Sequence, residues 1–145
     1  MSAMLEKIKK IVAAILSLFA MMLPLAEPGI AMDIEIMNEP TQTVYVKWQN
    51  NTFSTISMPR FFVEQNVNGQ WETVEFDEYF GFPEIYDRYF PLQGNAFTVR
   101  CKEVFGKDLE PGMYRFNIQY HVQSAGGIQD RIASQEFEIF QSPGV

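Results

Sequence analysis

The sequence predicts an all-β fold: an antiparallel β-sandwich of seven to eight strands, preceded by an N-terminal signal helix. Three observations carry that prediction. Residues 32–145 fall into short runs of alternating apolar and polar residues, with turn residues about every 10 positions. No part of that region keeps a helical period over a useful length. Asn68-Gly69 lies between two such runs, and because both residues tolerate positive φ it is a strong hairpin signal.

The chain opens differently. Lys7, Lys9 and Lys10 precede the apolar run from Ile11 to Leu23, Pro24 breaks the run, and Gly29 and Ala31 place small residues at the −3 and −1 positions of a processing site. A basic segment, an apolar segment and a small-residue segment in that order describe a secretory signal peptide over residues 1–31. The apolar run is shorter than the roughly 20 residues that a bilayer span needs, so no stable membrane insertion is expected once the signal is cleaved. Residues 32–145 then form a single sandwich domain, placed outside the cytoplasm: secreted or held in the cell envelope.

Within that domain Asp33–Met37 reads as a short first strand. Thr43–Trp48 alternates most cleanly, with Val44, Val46 and Trp48 toward the core. Phe53–Ser57 begins another run, which Met58-Pro59 interrupts. Phe61–Asn66 and Gln70–Phe76 form the arms of the Asn68-Gly69 hairpin, with Phe61, Val63 and Trp71 expected inward. Residues 77–91 follow no period and hold six aromatic residues: Tyr79, Phe80, Phe82, Tyr86, Tyr89 and Phe90. Ala96–Cys101 is a further strand with Phe97 and Val99 inward. Tyr114–Val122 alternates five apolar against four polar residues, a strand buried on one side. Ser124–Gly127 is a flexible tip, Ile132–Phe140 returns as the last strand, and Ser142–Val145 is a frayed tail.

Pro111-Gly112 runs into Tyr114, two residues inside its strand. A tyrosine so placed can turn its hydroxyl back onto the preceding crossover, the tyrosine corner of immunoglobulin-like sandwiches. Other pieces point the same way: Val46–Thr52, Phe61–Gln65 with Asn68–Trp71, Pro91–Gly94, Val104–Gly106 and Leu109–Phe116. In this order they resemble a family of bacterial immunoglobulin-like domains found in exported proteins and lipoproteins. The resemblance implies the sandwich and no catalytic residue; the family pattern has no common activity attached to it. Two features depart from it: no cysteine stands at the start of residues 32–145 to carry a lipid, and the segment from Glu78 to Phe90 is longer and more aromatic than the usual connection.

Charge narrows the partners. The chain carries 11 basic and 18 acidic residues, a net charge of −7; residues 1–31 hold three of the former and two of the latter, leaving −8 on the domain. An acidic domain with no basic stripe excludes nucleic acid, whose binding rests on phosphate neutralisation. A protein, peptide or glycan partner fits better. Cys101 is the lone cysteine, so no intrachain disulfide exists and packing alone must hold the core.

Catalysis finds no footing. Cys101 and His121 form the one pair that suggests a nucleophile and base, yet the strand pattern separates them by about 25 Å at 3.3 Å per residue. A Gly-x-Ser-x-Gly elbow is absent, and one histidine with one distant cysteine makes no zinc site. Glu75, Asp77, Glu78, Glu84 and Asp87 cluster in sequence without the spacing of a calcium loop. No enzyme activity and no cofactor are expected. The binding candidates are Tyr79, Phe80, Phe82, Tyr86 and Tyr89, as aromatic anchors if exposed or as closure of the sandwich edge if buried. The expected role is an exported binding or structural module of the cell envelope. The alternative is a proteinase-inhibitor-like sandwich that acts through its end loops, with Gly126-Gly127 and Asp77–Phe90 as the candidates.

Overall fold

The computed structural model describes residues 2–22, 29–83 and 86–140. The aromatic and apolar alternation of the sequence resolves into two antiparallel sheets. One holds β1 (Ile30–Met37), β2 (Thr43–Asn50) and β6 (Gly94–Arg100), in the order β1-β2-β6. The other holds β3 (Ile56–Val67), β4 (Gln70–Thr73), β7 (Gly112–Ser124) and β8 (Gly127–Ile139), in the order β4-β3-β7-β8, with the two-residue β5 (Arg88–Tyr89) also on β3. A helix, α1 (Ser2–Met22), precedes them, and a single turn, α2 (Cys101–Phe105), follows β6.

The core lies between the sheets, where period-2 alternation sends it. Val44, Val46 and Trp48 of β2 and Val99 of β6 meet Phe61 and Val63 of β3 and Tyr114, Phe116, Ile118 and Tyr120 of β7, all buried. Phe61 is the hub, with Phe76, Phe82, Phe97 and Phe116 rings centred 5.0–5.8 Å from its own. Such aromatic pairs add to the area term that holds a core without a disulfide.

The Asn68-Gly69 hairpin forms as expected, with both residues at positive φ (53° and 83°) and Val67 paired with Gln70. Four local expectations are corrected. Trp71 does not point inward: it pairs with Asn66, so it shares the outer face with Glu64 and Asn66. Met58-Pro59 does not end a strand, because β3 passes through it on a bulge between Ser57 and Arg60, where proline's missing N–H is tolerated. Cys101 opens α2 rather than closing a strand, and Gly106 ends that turn in the left-handed conformation at φ 75°. The first strand starts at Ile30, not Asp33: Ile30 is buried and pairs with Asn50, and Ala31 pairs with Gln49. The sandwich therefore takes in the end of the segment assigned to the signal. Residues 23–28, with Pro24, and the tail residues 141–145 lie outside the described residues.

Candidate functional site

The aromatic segment does not act as one surface. It starts at Asp77, whose N–H donates to the Val104 carbonyl beside α2 (2.8 Å), and ends at Tyr89–Gln93, bonded to Asn50 at the other end of β2. Along that length it divides. Phe80 and Phe82 pack on Phe61 and on each other, at 6.0, 5.0 and 5.2 Å between centroids. Tyr89 meets Trp48 edge to face at 4.7 Å, and its hydroxyl accepts from Asn95 Nδ2. These three close the open side of the sandwich. Tyr79 and Tyr86 are exposed at 89% and 82%, and Phe90 at 59%. Between segment and sandwich lies a cleft of about 270 Å³ walled by Trp48, Phe61, Phe82, Tyr89 and Phe97, with the Arg60 guanidinium 5.3 Å from the Phe82 ring. Arg60 also donates to the Pro83 carbonyl at 3.0 Å, tying the segment down.

One end of the sandwich carries a denser apolar group. Asn50, fully buried at the end of β2, holds two loops together. Its Nδ2 donates to the carbonyls of Ser54 (2.9 Å) and Tyr89 (3.0 Å), and its Oδ1 accepts from the N–H and hydroxyl of Thr52. Its backbone bonds Leu92 and Gln93, at 2.7 and 2.8 Å. Every polar atom of the amide is used, so loops 51–55 and 89–93 are fixed to one another. On them stand Phe53 (95% exposed), Phe90 and Leu92 (72%). Large apolar side chains held in water on braced loops cost hydration free energy and suit a partner surface. The Asn51 N–H donates to the Gly29 carbonyl, so the chain from α1 joins the sandwich at this same end. Phe53 and Leu92 were missed as candidates in the sequence reading; the available signal was a phenylalanine inside Asn50-Asn51-Thr52-Phe53-Ser54, a turn with no alternation to bury it.

A second structured surface lies on the outer face of the five-stranded sheet. Glu64 and Arg115 are direct cross-strand partners, and Glu64 Oε1 accepts from Arg115 Nε (2.9 Å), Arg115 Nη2 (2.8 Å) and Asn117 Nδ2 (2.8 Å). Ser134, opposite Asn117, donates to its Oδ1 at 2.6 Å. The Arg115 guanidinium sits 4.5 Å from the centre of the Trp71 ring.

The titratable candidates Cys101 and His121 lie in different surroundings. Cys101 is fully buried; burial, and then the Asp108 carboxylate, push its thiol up to about 11. It is a core residue with no thiolate at neutral pH. His121 faces outward and its Nδ1 pairs with Asp130, seven residues along β7 from Tyr114 and on the opposite face. Among the described residues no three His, Cys, Asp or Glu side chains converge as metal ligands. The tip between β7 and β8 is a two-residue turn, Ala125-Gly126, with Ser124 paired to Gly127. Among the described residues no helix is long and apolar enough to cross a membrane.

A three-stranded and a five-stranded antiparallel sheet face to face, with a tyrosine turned back on the crossover between them, define an immunoglobulin-like sandwich. The chain belongs to the bacterial Ig-like domain family, whose model matches residues 26–137. Domains of this kind are typically non-catalytic and usually extracellular or surface-associated. No curated protein and no solved structure matches the chain.

Proposed function

We propose that the protein is an exported, non-enzymatic binding module of the cell envelope that takes a protein, peptide or glycan partner at the Asn50 end of its sandwich. The observation that carries this reading is the exposure of Phe53, Phe90 and Leu92 on two loops that a buried asparagine fastens together. Bracing removes much of the ordering cost of binding, and the aromatic residues supply the anchors. Export is supported by the lysines and apolar run of α1 and by the usual setting of the family.

The test is affinity capture from a cell-envelope extract, with the protein and with its Phe53→Ala/Phe90→Ala/Leu92→Ala variant as baits. The reading requires a partner retained by the first and lost by the second, at equal thermal stability. A partner retained equally by both moves the site elsewhere, with Tyr79 and Tyr86 the next positions to replace.

A further inference from the structure

Each sheet of an open sandwich ends in edge strands whose unpaired N–H and C=O groups invite another strand, and proteins blunt those edges with charge, proline, bulges or shortness. Three edges here are blunted. β4 has four residues and β5, beside it on β3, has two. β1 presents Asp33 and Glu35 on one face, so a second β1 paired about Ile34 would set them against each other. β6 has seven residues and is fronted by the aromatic segment through Asn95 and Tyr89.

β8 is different. It runs 13 residues, contains no proline or lysine, and pairs with β7 in one unbroken register from Gly127 to Ile139 without a bulge. Residues 127–136 are exposed except half-buried Ala133. On the outer face Ile128 and Ile132 are 71% and 56% exposed.

The order of side chains along β8 suits a second copy of itself. A two-fold axis perpendicular to the sheet pairs residues of like face about a central residue. Centred on Asp130 or on Arg131, it opposes two like charges; centred on Ala133, it sets Asp130 against Glu136; centred on Ser134, it sets Asp130 against Glu138. Centred on Gln129, Ile132 or Gln135 it opposes none of these, and of the three only Ile132 puts an exposed apolar residue on the axis. About Ile132, that residue meets its own copy, Arg131 meets Ala133, Asp130 meets Ser134, Gln129 meets Gln135, and Ile128 meets Glu136. Like charges directly opposite destabilise a pair of strands and apolar pairs stabilise it. From the length, exposure and charge order of this edge we infer that two copies of the chain associate through antiparallel β8 strands about Ile132, joining their five-stranded sheets into one of ten. The interface is isologous and uses no residue of the proposed partner surface, so the two readings stand or fall separately.

Light scattering of the full chain, solubilised in mild detergent and corrected for bound detergent, measures the assembly directly. The expected mass is twice 16.7 kDa for the wild type and 16.7 kDa for Ile132→Lys, with identical far-ultraviolet circular dichroism. Independently, Ile132→Cys treated with a short bis-maleimide is expected to give a covalent dimer, whereas Thr98→Cys, on the exposed face of β6, stays monomeric; buried Cys101 stays unlabelled in both. A monomeric wild type overturns the inference. So does a dimer that survives Ile132→Lys, or an Ile132→Cys chain that cross-links no better than Thr98→Cys. If Ile132→Lys fails to fold, the cross-linking comparison decides alone.

Discussion

The Tyr114 hydroxyl donates to the Glu110 carbonyl at 2.6 Å, from a ring that is 1% exposed and stacks on Phe137 at 5.5 Å. This bond ties the crossover that leaves the three-stranded sheet to the first residues of β7, in a chain whose lone cysteine permits no internal disulfide. The neighbouring bonds reinforce it: the Gln42 side chain donates to the Leu109 carbonyl and accepts from its N–H. Tyr114→Phe keeps the ring and removes the bond, so it is expected to destabilise the fold by about 1 kcal/mol and to lower the melting temperature by about 4 °C. Urea unfolding with an unchanged slope checks it. A midpoint equal to that of the wild type would remove the corner from the account of stability.

Tyr114 and Cys101 also set a response to alkali. Burial first, then the Glu110 carboxylate, push the Tyr114 phenol from 10 to about 12, and burial followed by Asp108 pushes Cys101 from 9 to about 11. Both pKa values are higher folded than unfolded, so the unfolded chain releases its protons first as pH rises. The stability these neutral groups contribute is complete below pH 9 and is lost progressively toward pH 12. Melting temperatures across pH 8–12 should fall, and Cys101→Ala should flatten the portion between pH 9 and 11. The same burial predicts that iodoacetamide labels Cys101 in denaturant and not in native buffer at pH 8.

The strands of this fold were legible where one side faces the core and the other water. Val44, Val46 and Trp48, or Phe116, Ile118 and Tyr120, announce their face by alternation alone. Trp71 misled because size was read as burial. Its direction follows from pairing with Asn66, a register that the turn sets and composition does not. The aromatic segment was legible as unusual but not as divided. Phe80, Phe82 and Tyr89 are half-buried because they pack on Phe61 and Trp48, and no local period encodes that. Phe53 escaped notice for the converse reason: a lone phenylalanine in a polar turn has no pattern around it, only the remote carbonyl of Tyr89 that Asn50 reaches.

Asn50 should be the costliest of the polar positions. Asn50→Ala takes the side-chain donor from the Tyr89 carbonyl, the acceptor from the Thr52 N–H and one of two donors from the Ser54 carbonyl, which keeps the Thr52 hydroxyl, with an expected loss of about 2–4 kcal/mol. Asn50→Asp keeps the acceptor for Thr52 and loses only the two donations, yet places a charge there. Chemical unfolding of both, with proteolysis of loops 51–55 and 89–93 as the local readout, separates bracing from bulk stability. Should the loops resist protease as well in Asn50→Ala as in the parent, they are not held by that amide.

The start of the sandwich gives a comparison by truncation. A chain from Gly29 retains Ile30 in the core, its pairing with Asn50 and the Gly29 carbonyl that accepts from Asn51. A chain from Met32 loses all three, and the buried isoleucine alone is worth about 2 kcal/mol. The shorter chain is expected to melt several degrees lower, with increased protease access at loop 51–55. Equal melting points would show that β1 is held from Met32 onward.

On the outer face, Glu64 joins three donors, and its removal should be felt by all of them. Glu64→Ala removes the carboxylate from Arg115 and the shortest of the Asn117 Nδ2 contacts, leaving that buried amide the longer bonds to the Phe62 and Arg115 carbonyls, and is expected to cost about 2–3 kcal/mol, as hydrogen bonds to a charged acceptor do. Glu64→Gln keeps an acceptor oxygen but not the charge and should recover about half of that. Trp71 enters through Arg115, whose guanidinium lies over its ring, so Trp71→Ala and Arg115→Ala in a double-mutant cycle should couple by about 0.5–1 kcal/mol. Raising the salt concentration should leave the Glu64 contribution nearly intact, since its side chain is only 15% exposed, while abolishing that of the open Lys102–Asp108 pair. Additive losses at Trp71 and Arg115 would mean that the ring and the guanidinium lie together without stabilising each other, and that Trp71 stands on the surface for something outside the chain.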